Sequence, residues 1–189
     1  MTMRKLIVFN SVTADGYFTD KNNDMSWAHR QGDPEWNDFV AENAKSGGEL
    51  VFGRVTYEMM KSFWPTPMAA EQFPDVAKGM NESPKVVFSR TLAAATWNNT
   101  RLIKGDLENE VRKLKDESGD HLVVMGSGTI VSQLAQAGLV DEYQMVLNPI
   151  VLGAGRTMFE GVKDKINLKL TGTRAFKNGN VLLKYEAAS

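Results

Sequence analysis

The chain has 189 residues, 42% hydrophobic and 24% charged, with a formal net charge of -1. These values fit one globular domain over residues 1–189, with a core large enough to need no staple, and no basic field to gather nucleic acid or a membrane surface. There is no cysteine, which excludes a disulfide framework, a thiolate nucleophile and a zinc–thiolate site, and fits a reducing, cytoplasmic setting.

At the N-terminus, Leu6-Ile7-Val8-Phe9 is too short an apolar run for a signal peptide or a membrane span. It reads as a buried strand over Arg4–Asn10. A polar segment from Ser11 to Gly32 follows, and its length for a connection marks it as a functional loop. Asp33 and Pro34 are an N-cap and first-turn pair for a helix with Trp36, Phe39, Val40 and Ala44 on its buried stripe. Gly47-Gly48 end it. A strand Glu49–Phe52 runs into Gly53-Arg54-Val55-Thr56-Tyr57 and a helix that carries Met59, Met60 and Phe63 to Pro65 and Pro67. Met68–Ser83 reads as mostly irregular. Strands follow at Lys85–Phe88 and Arg101–Ile103, then a helix capped by Asp106 with Leu107, Val111 and Leu114 inward. Strand His121–Met125 leads through Gly126-Ser127-Gly128-Thr129 into a helix with Ile130, Val131 and Leu134. The tail is β by pattern, at Glu142–Leu147, Asn167–Phe176 and Val181–Glu186, with a hairpin turn at Asn178-Gly179-Asn180. The alternation implies an α/β fold whose mostly parallel sheet is closed by an antiparallel hairpin.

Three strand ends suit one long anionic ligand. Gly126-Ser127-Gly128-Thr129 opens a helix, where unpaired N–H groups and the dipole favour a pyrophosphate. Gly53, Arg54 and Thr56 open another, although the same residues also read as simple capping. Ser89 and Arg90 pair a hydroxyl with a guanidinium, which suits a monophosphate. Parallel strands bring such ends to one edge of the sheet. An arginine where a ribose-binding acid is expected favours the 2′-phosphate of NADP. No third glycine follows Gly126-x-Gly128, because position 131 is Val. The two histidines, His29 and His121, are far apart in sequence, so no metal site is expected.

These pieces, in this order, together with Ser11-Val12-Thr13-Ala14-Asp15-Gly16 and Asn148-Pro149-Ile150-Val151-Leu152-Gly153-Ala154-Gly155-Arg156, resemble the dihydrofolate reductase superfamily. The resemblance is closest to the riboflavin-biosynthesis deaminase/reductase branch and its stand-alone relatives. It implies a dihydrofolate-reductase-like three-layer fold and hydride transfer from NADPH to a small heterocyclic or ribosylamino-pyrimidine substrate. It places the cofactor phosphates on Gly53, Arg54 and Thr56, the 2′-phosphate on Ser89 and Arg90, and the pyrophosphate on Gly126, Ser127, Gly128 and Thr129. Ala14 and Gly16 would border the nicotinamide. Asp15 is a candidate for orienting substrate or a proton-relay water, although Asp-Gly also reads as an ordinary turn. Trp27, Glu35, Asp38 and Arg156 are candidates for the substrate side, and Trp36 could wall a flat ring. Counting back from Gly53 lands near Asn37 rather than on the acid that dihydrofolate reductases use, which weakens a pterin substrate. A nucleotide-binding sensor or assembly domain on the same fold is the non-enzymatic alternative. The resemblance also implies a homodimer.

Overall fold

A computed structural model describes residues 3–28 and 33–188. His29 lies outside the described residues. The central sheet has eight strands in the order β5-β4-β3-β6-β1-β7-β10-β9. In chain order these are β1 (Leu6–Thr13), β3 (Glu49–Gly53), β4 (Lys85–Phe88), β5 (Thr100–Ile103), β6 (Leu122–Met125), β7 (Glu142–Asn148), β9 (Leu168–Ala175) and β10 (Val181–Ala187). A separate pair joins β2 (Tyr17–Asp20) to β8 (Gly155–Thr157). Strands β5, β4, β3, β6, β1 and β7 are mutually parallel, so their C-terminal ends share one edge. The central strands read as continuous apolar runs because both of their faces are covered.

One face carries α1 (Pro34–Ala44), α2 (Arg54–Phe63) and α4 (Pro74–Glu82), over Phe52, Tyr57, Met80 and Trp97 on one side and Trp36, Val146, Phe176 and Leu182 on the other. The opposite face carries α5 (Leu107–Asp116) and α6 (Gly128–Gln136), packed through Val111, Leu114, Ile130, Val131 and Leu134 onto Leu6, Val8, Val51 and Val124. The expected dihydrofolate-reductase-like three-layer arrangement, with its C-terminal antiparallel hairpin, is present. Asp33 closes two elements at once. One carboxylate oxygen accepts from Glu35 and Trp36 N–H at the start of α1, and the other accepts from Asn178 N–H at 2.9 Å in the hairpin turn.

Two expectations are corrected. Met68–Ser83 is mostly helical, in α3 (Pro67–Gln72) and α4. Pro67 and Pro74 stand at first-turn positions, where the missing N–H costs nothing, so they start helices. Thr66 Oγ1 caps α3 by accepting from Ala69 N–H, and the buried Lys85 ammonium closes the end of α4 on the carbonyls of Met80, Asn81 and Ser83. Burial pushes that ammonium down to about 8. The second correction concerns Ser11–Gly32. It is not wholly irregular, because β2 finds its partner in β8, more than a hundred residues away in sequence, through the pairing Tyr17↔Thr157.

Candidate active site

The β3–α2 and β6–α6 turns are joined by direct bonds. Gly126 and Ser127 are both left-handed, at φ 62° and 56°, and this double turn swings the chain from β6 into α6. Ser127 Oγ accepts from Gly53 N–H at 2.8 Å and donates to Thr56 Oγ1 at 2.9 Å. Ser127 N–H donates to the same oxygen at 3.1 Å. A Cβ on Gly126 would stand 2.8 Å from Thr56 Cγ2, so the close approach as well as the φ requires glycine. The hydroxyls of Ser127 and Thr56 therefore fasten two helix starts together. What the paired turns offer outward is the backbone N–H groups at the starts of α2 and α6, with the positive ends of the two helix dipoles.

From below, Asn10 braces this junction. The residue is 3% exposed. Oδ1 accepts from Gly126 N–H at 2.6 Å, and Nδ2 reaches Gly126 O at 3.4 Å and Met158 Sδ at 3.2 Å. The sequence reading missed this residue. Its signal was one amide directly after the apolar run Leu6-Ile7-Val8-Phe9, within the same strand.

The edge continues toward β4. Gly53 pairs in register with Phe88, so Ser89 and Arg90 follow directly beside the start of α2. Two strand spacings, about 10 Å, separate them from the β6 turn. Ser89 Oγ accepts from Thr91 and Leu92 N–H and shapes the loop. Arg90 is exposed. Arg54 Nη1 pairs with Glu58 at 3.1 Å, both half-exposed. The order along the edge is thus Arg90, Arg54, then the double turn, which is cationic at one end.

At the other end, β1 outruns β6. Its last partner there is Met125, opposite Phe9, while its pairing with β7 continues to Thr13 opposite Asn148. The β2–β8 pair folds over α6, and a Cβ on Gly128 would meet the Phe18 ring at 2.8 Å. Ala14, Asp15 and Gly16 form the turn at the tip, with Gly16 at φ 88°. Ala14 N–H donates to Ile150 O at 2.9 Å. The Asp15 carboxylate accepts from Thr13 Oγ1 at 2.6 Å, Leu152 N–H at 3.1 Å and Gly153 N–H at 2.7 Å. The Thr13 hydroxyl bond, with the two backbone bonds, holds the carboxyl below its ordinary value. Asp15 therefore latches the β1–β2 turn to the 150–153 loop as an anion, and at neutral pH carries no proton to give.

The substrate-side candidates are scattered. Trp27 is half-buried, with Nε1 donating to Asp24 O at 3.2 Å. Glu35 turns away to Arg174 at 3.0 Å, and Asp38 is exposed. Arg156 lies 3.5 Å from Glu160 and over the Phe18 ring at 5.9 Å. Trp36 is core, edge-on to Phe176 at a centroid distance of 5.0 Å. It occupies the inward position of the first turn of α1. Phe9 and Met125 lie side by side on the face toward α1, and Phe9 packs against Phe39 at 6.3 Å.

Residues 4–182 match the family described as the RibD C-terminal domain. The chain belongs to that family. Among relatives of the RibD C-terminal domain chain, the uncharacterized protein YyaP of Bacillus subtilis is 29% identical over 185 residues, covering 98% of this chain and 96% of that one. The uncharacterized protein YwjB of the same organism is 23% identical over 176 residues, covering 92% of each. Three solved structures share the fold. A putative riboflavin biosynthesis protein from Shewanella sp. PV-4 superposes with a TM-score of 0.75 at 22% identity, over 98% of this chain and 99% of that one. The deaminase/5-amino-6-(5-phosphoribosylamino)uracil reductase of Thermotoga maritima gives 0.69 at 15% identity, over 98% of this chain and 57% of that one. A dihydrofolate reductase from Enterococcus faecalis, complexed with NADP(H), gives 0.64 at 14% identity, over 98% and 97%. The RibD C-terminal domain fold is therefore dihydrofolate-reductase-like here, as its order of motifs implied. Among the described residues no helix is long and apolar enough to cross a membrane.

Proposed function

We propose that this protein is an NADPH-dependent reductase of the RibD C-terminal domain family, acting on a small heterocycle of the pyrimidine type in the cytoplasm. The observation that carries the reading is the fused junction of Gly53, Thr56, Gly126 and Ser127, which aims two helix N-termini at one place beside Arg54 and Arg90. That donor set suits a dinucleotide phosphate. The first-turn N–H groups of α2 and α6 would hold the pyrophosphate, with Gly128 and Thr129 at the start of α6. Arg54 and Arg90 would take the remaining phosphate charge, with Ser89 setting the loop that carries Arg90.

NADPH held there would supply hydride chemistry for a C=N or C=O carbon, with the balancing proton for the heteroatom drawn from water. The chain's own part is orientation and exclusion of water. Ala14 and Gly16, held by the Asp15 latch, border the place where β1 overruns β6. Phe9 and Met125 give that place an apolar floor.

A pterin substrate is disfavoured, because Trp36 occupies the inward position of the first turn of α1 and Glu35 is paired with Arg174. Oxidation of NADPH in the presence of a panel of pyrimidine and pterin substrates, followed by nicotinamide absorbance, tests the reading. Turnover of a pyrimidine supports it, and turnover of a pterin alone would overturn the substrate assignment. Tight NADPH binding without turnover of any would move the reading to a nucleotide sensor. Arg54→Ala should weaken NADPH binding by about 1.5–3 kcal/mol, the worth of a charge-assisted bond. Unchanged affinity would remove Arg54 from the site.

A further inference from the structure

A cavity of about 450 Å³ lies at the end of the sheet remote from the phosphate edge. Its floor is Tyr143, the second residue of β7, which pairs with Val8 of β1 and Tyr185 of β10. Its roof is the segment between β8 and β9, which crosses β7 on the face opposite α1. Gln136, at the end of α6, ties the roof down. Its Oε1 accepts from Lys163 N–H at 2.8 Å and Asp164 N–H at 3.3 Å, and its Nε2 donates to Asp164 Oδ2 at 3.2 Å. At its other end the roof enters β9 at Leu168, opposite Ala187. Held at both ends, the cavity is preformed.

The lining divides by chemistry. Phe159, Val162, Ile166 and Leu168 make apolar walls, with Phe159 tilted against Tyr143 at a centroid distance of 5.8 Å. Tyr143 is 1% exposed. Among the described residues nothing hydrogen-bonds its hydroxyl, and burial pushes its pKa up to about 12, so it is a neutral O–H donor at neutral pH. The fully enclosed side-chain atoms without partners among the described residues belong to Thr19, Asn148, Asn178 and Asn180. The Tyr143 hydroxyl therefore opens into the cavity that the residue lines. A donor this deep costs free energy until it is given an acceptor. At the mouth stand Lys163 and Lys165, both exposed. Asp164 between them is turned to Gln136, and among the described residues neither lysine forms an ion pair. The rim is thus cationic. The size, the apolar walls and the few convergent polar groups are those of a small-molecule site.

We propose that this cavity is a second ligand site, for a small organic anion with an apolar body, whose carboxylate pairs with Lys163 and Lys165 and whose far end carries an oxygen that accepts from Tyr143. A plain alkyl or aryl acid would leave the hydroxyl unpaired, so the far oxygen is part of the recognition. The apolar walls, with the Phe159 ring among them, suit an aromatic body. The inference is independent of the cofactor reading, since no residue of the cavity belongs to the phosphate edge.

The test uses 4-hydroxybenzoate, which combines the carboxylate, the ring and the far oxygen. Isothermal titration of the full chain should give a Kd of about 1 mM or tighter, within reach of a ligand of roughly ten heavy atoms. Benzoate, without the far oxygen, and 4-hydroxybenzamide, without the charge, should each bind about three- to tenfold more weakly. Tyr143→Phe keeps the ring. Because the hydroxyl has no partner in the chain, the ligand-free Tm of this variant should be unchanged, and it should bind 4-hydroxybenzoate and benzoate alike. Lys163→Ala together with Lys165→Ala should bind 4-hydroxybenzoate no better than 4-hydroxybenzamide. Failure of 4-hydroxybenzoate to bind, or binding that neither variant changes, would overturn the proposal. So would a Tyr143→Phe chain that is less stable without ligand, since the hydroxyl would then be serving the protein itself.

Discussion

Replacing Gly126 by alanine tests the junction at its tightest point. The added methyl would meet Thr56 Cγ2 at 2.8 Å and Oγ1 at 2.9 Å, both inside ordinary contact. Thr56 cannot swing aside freely, because its hydroxyl is held by Ser127 N–H and Ser127 Oγ. The backbone adds a second cost, since φ is 62° and a left-handed alanine costs roughly 1–2 kcal/mol. Overpacking of a fixed neighbour adds about 1–3 kcal/mol. The sum, about 2–5 kcal/mol, corresponds to a fall in Tm of roughly 5–15 °C for a chain of this size. Differential scanning calorimetry reads the first effect and isothermal titration with NADPH the second, which should be at least a tenfold loss of affinity. The double variant Gly126→Ala, Thr56→Ser removes the Cγ2 contact and keeps the hydroxyl bonds, so it should recover part of both losses. A Gly126→Ala protein with wild-type stability and affinity would show that the turn is neither tight nor near the cofactor.

Two further outcomes follow from neighbouring residues. Asn10→Leu keeps the volume but strands the buried Gly126 N–H, so chemical denaturation should show a loss of about 1–3 kcal/mol, and NADPH binding should weaken with it; a stable variant with intact binding would remove Asn10 as a brace. The Asp15 carboxyl is held below its ordinary value by Thr13 and the 152–153 backbone, so its latch is complete at neutral pH and is lost only as pH falls through that depressed value. Hydrogen exchange at Leu152 and Gly153, corrected for intrinsic rates, should therefore be flat from about pH 5 to 8 and faster at both amides in Asp15→Asn. A protection step near neutral pH would contradict the assignment.

Much of this architecture was legible because local signals agreed with global ones. Asp33-Pro34 started α1, Asp106 capped α5, and Gly126-Ser127-Gly128 turned β6 into α6. The strands appeared as apolar runs because the sheet is covered on both faces at its centre. What was not legible depended on distant partners. The four-residue β2 has no strand signal of its own, and it exists because Gly155–Thr157 lies beside it. The helices in 67–82 were hidden because Pro67 was read as ending the helix before it, although Pro67 and Pro74 each open a helix. In the site, residue types were recognised more readily than their roles. Ser127 and Thr56 looked like phosphate donors, yet they bond each other across two turns. Asp15 read both as a candidate for orienting substrate or a proton-relay water and as an Asp-Gly turn, and its carboxylate bonds the 152–153 backbone. Asn10 drew no attention, because the peptide it serves is 116 positions away in sequence.

The central claim is that the cationic end of the edge, at Arg90 and Arg54, selects a phosphorylated dinucleotide. Titration of the purified chain with NADPH and with NADH, followed by tryptophan fluorescence, tests it most directly. The account predicts micromolar NADPH binding, NADH weaker by at least tenfold, and a discrimination that shrinks in Arg90→Ala through loss of NADPH affinity alone. Equal affinity for the two dinucleotides, or binding of neither, would contradict it.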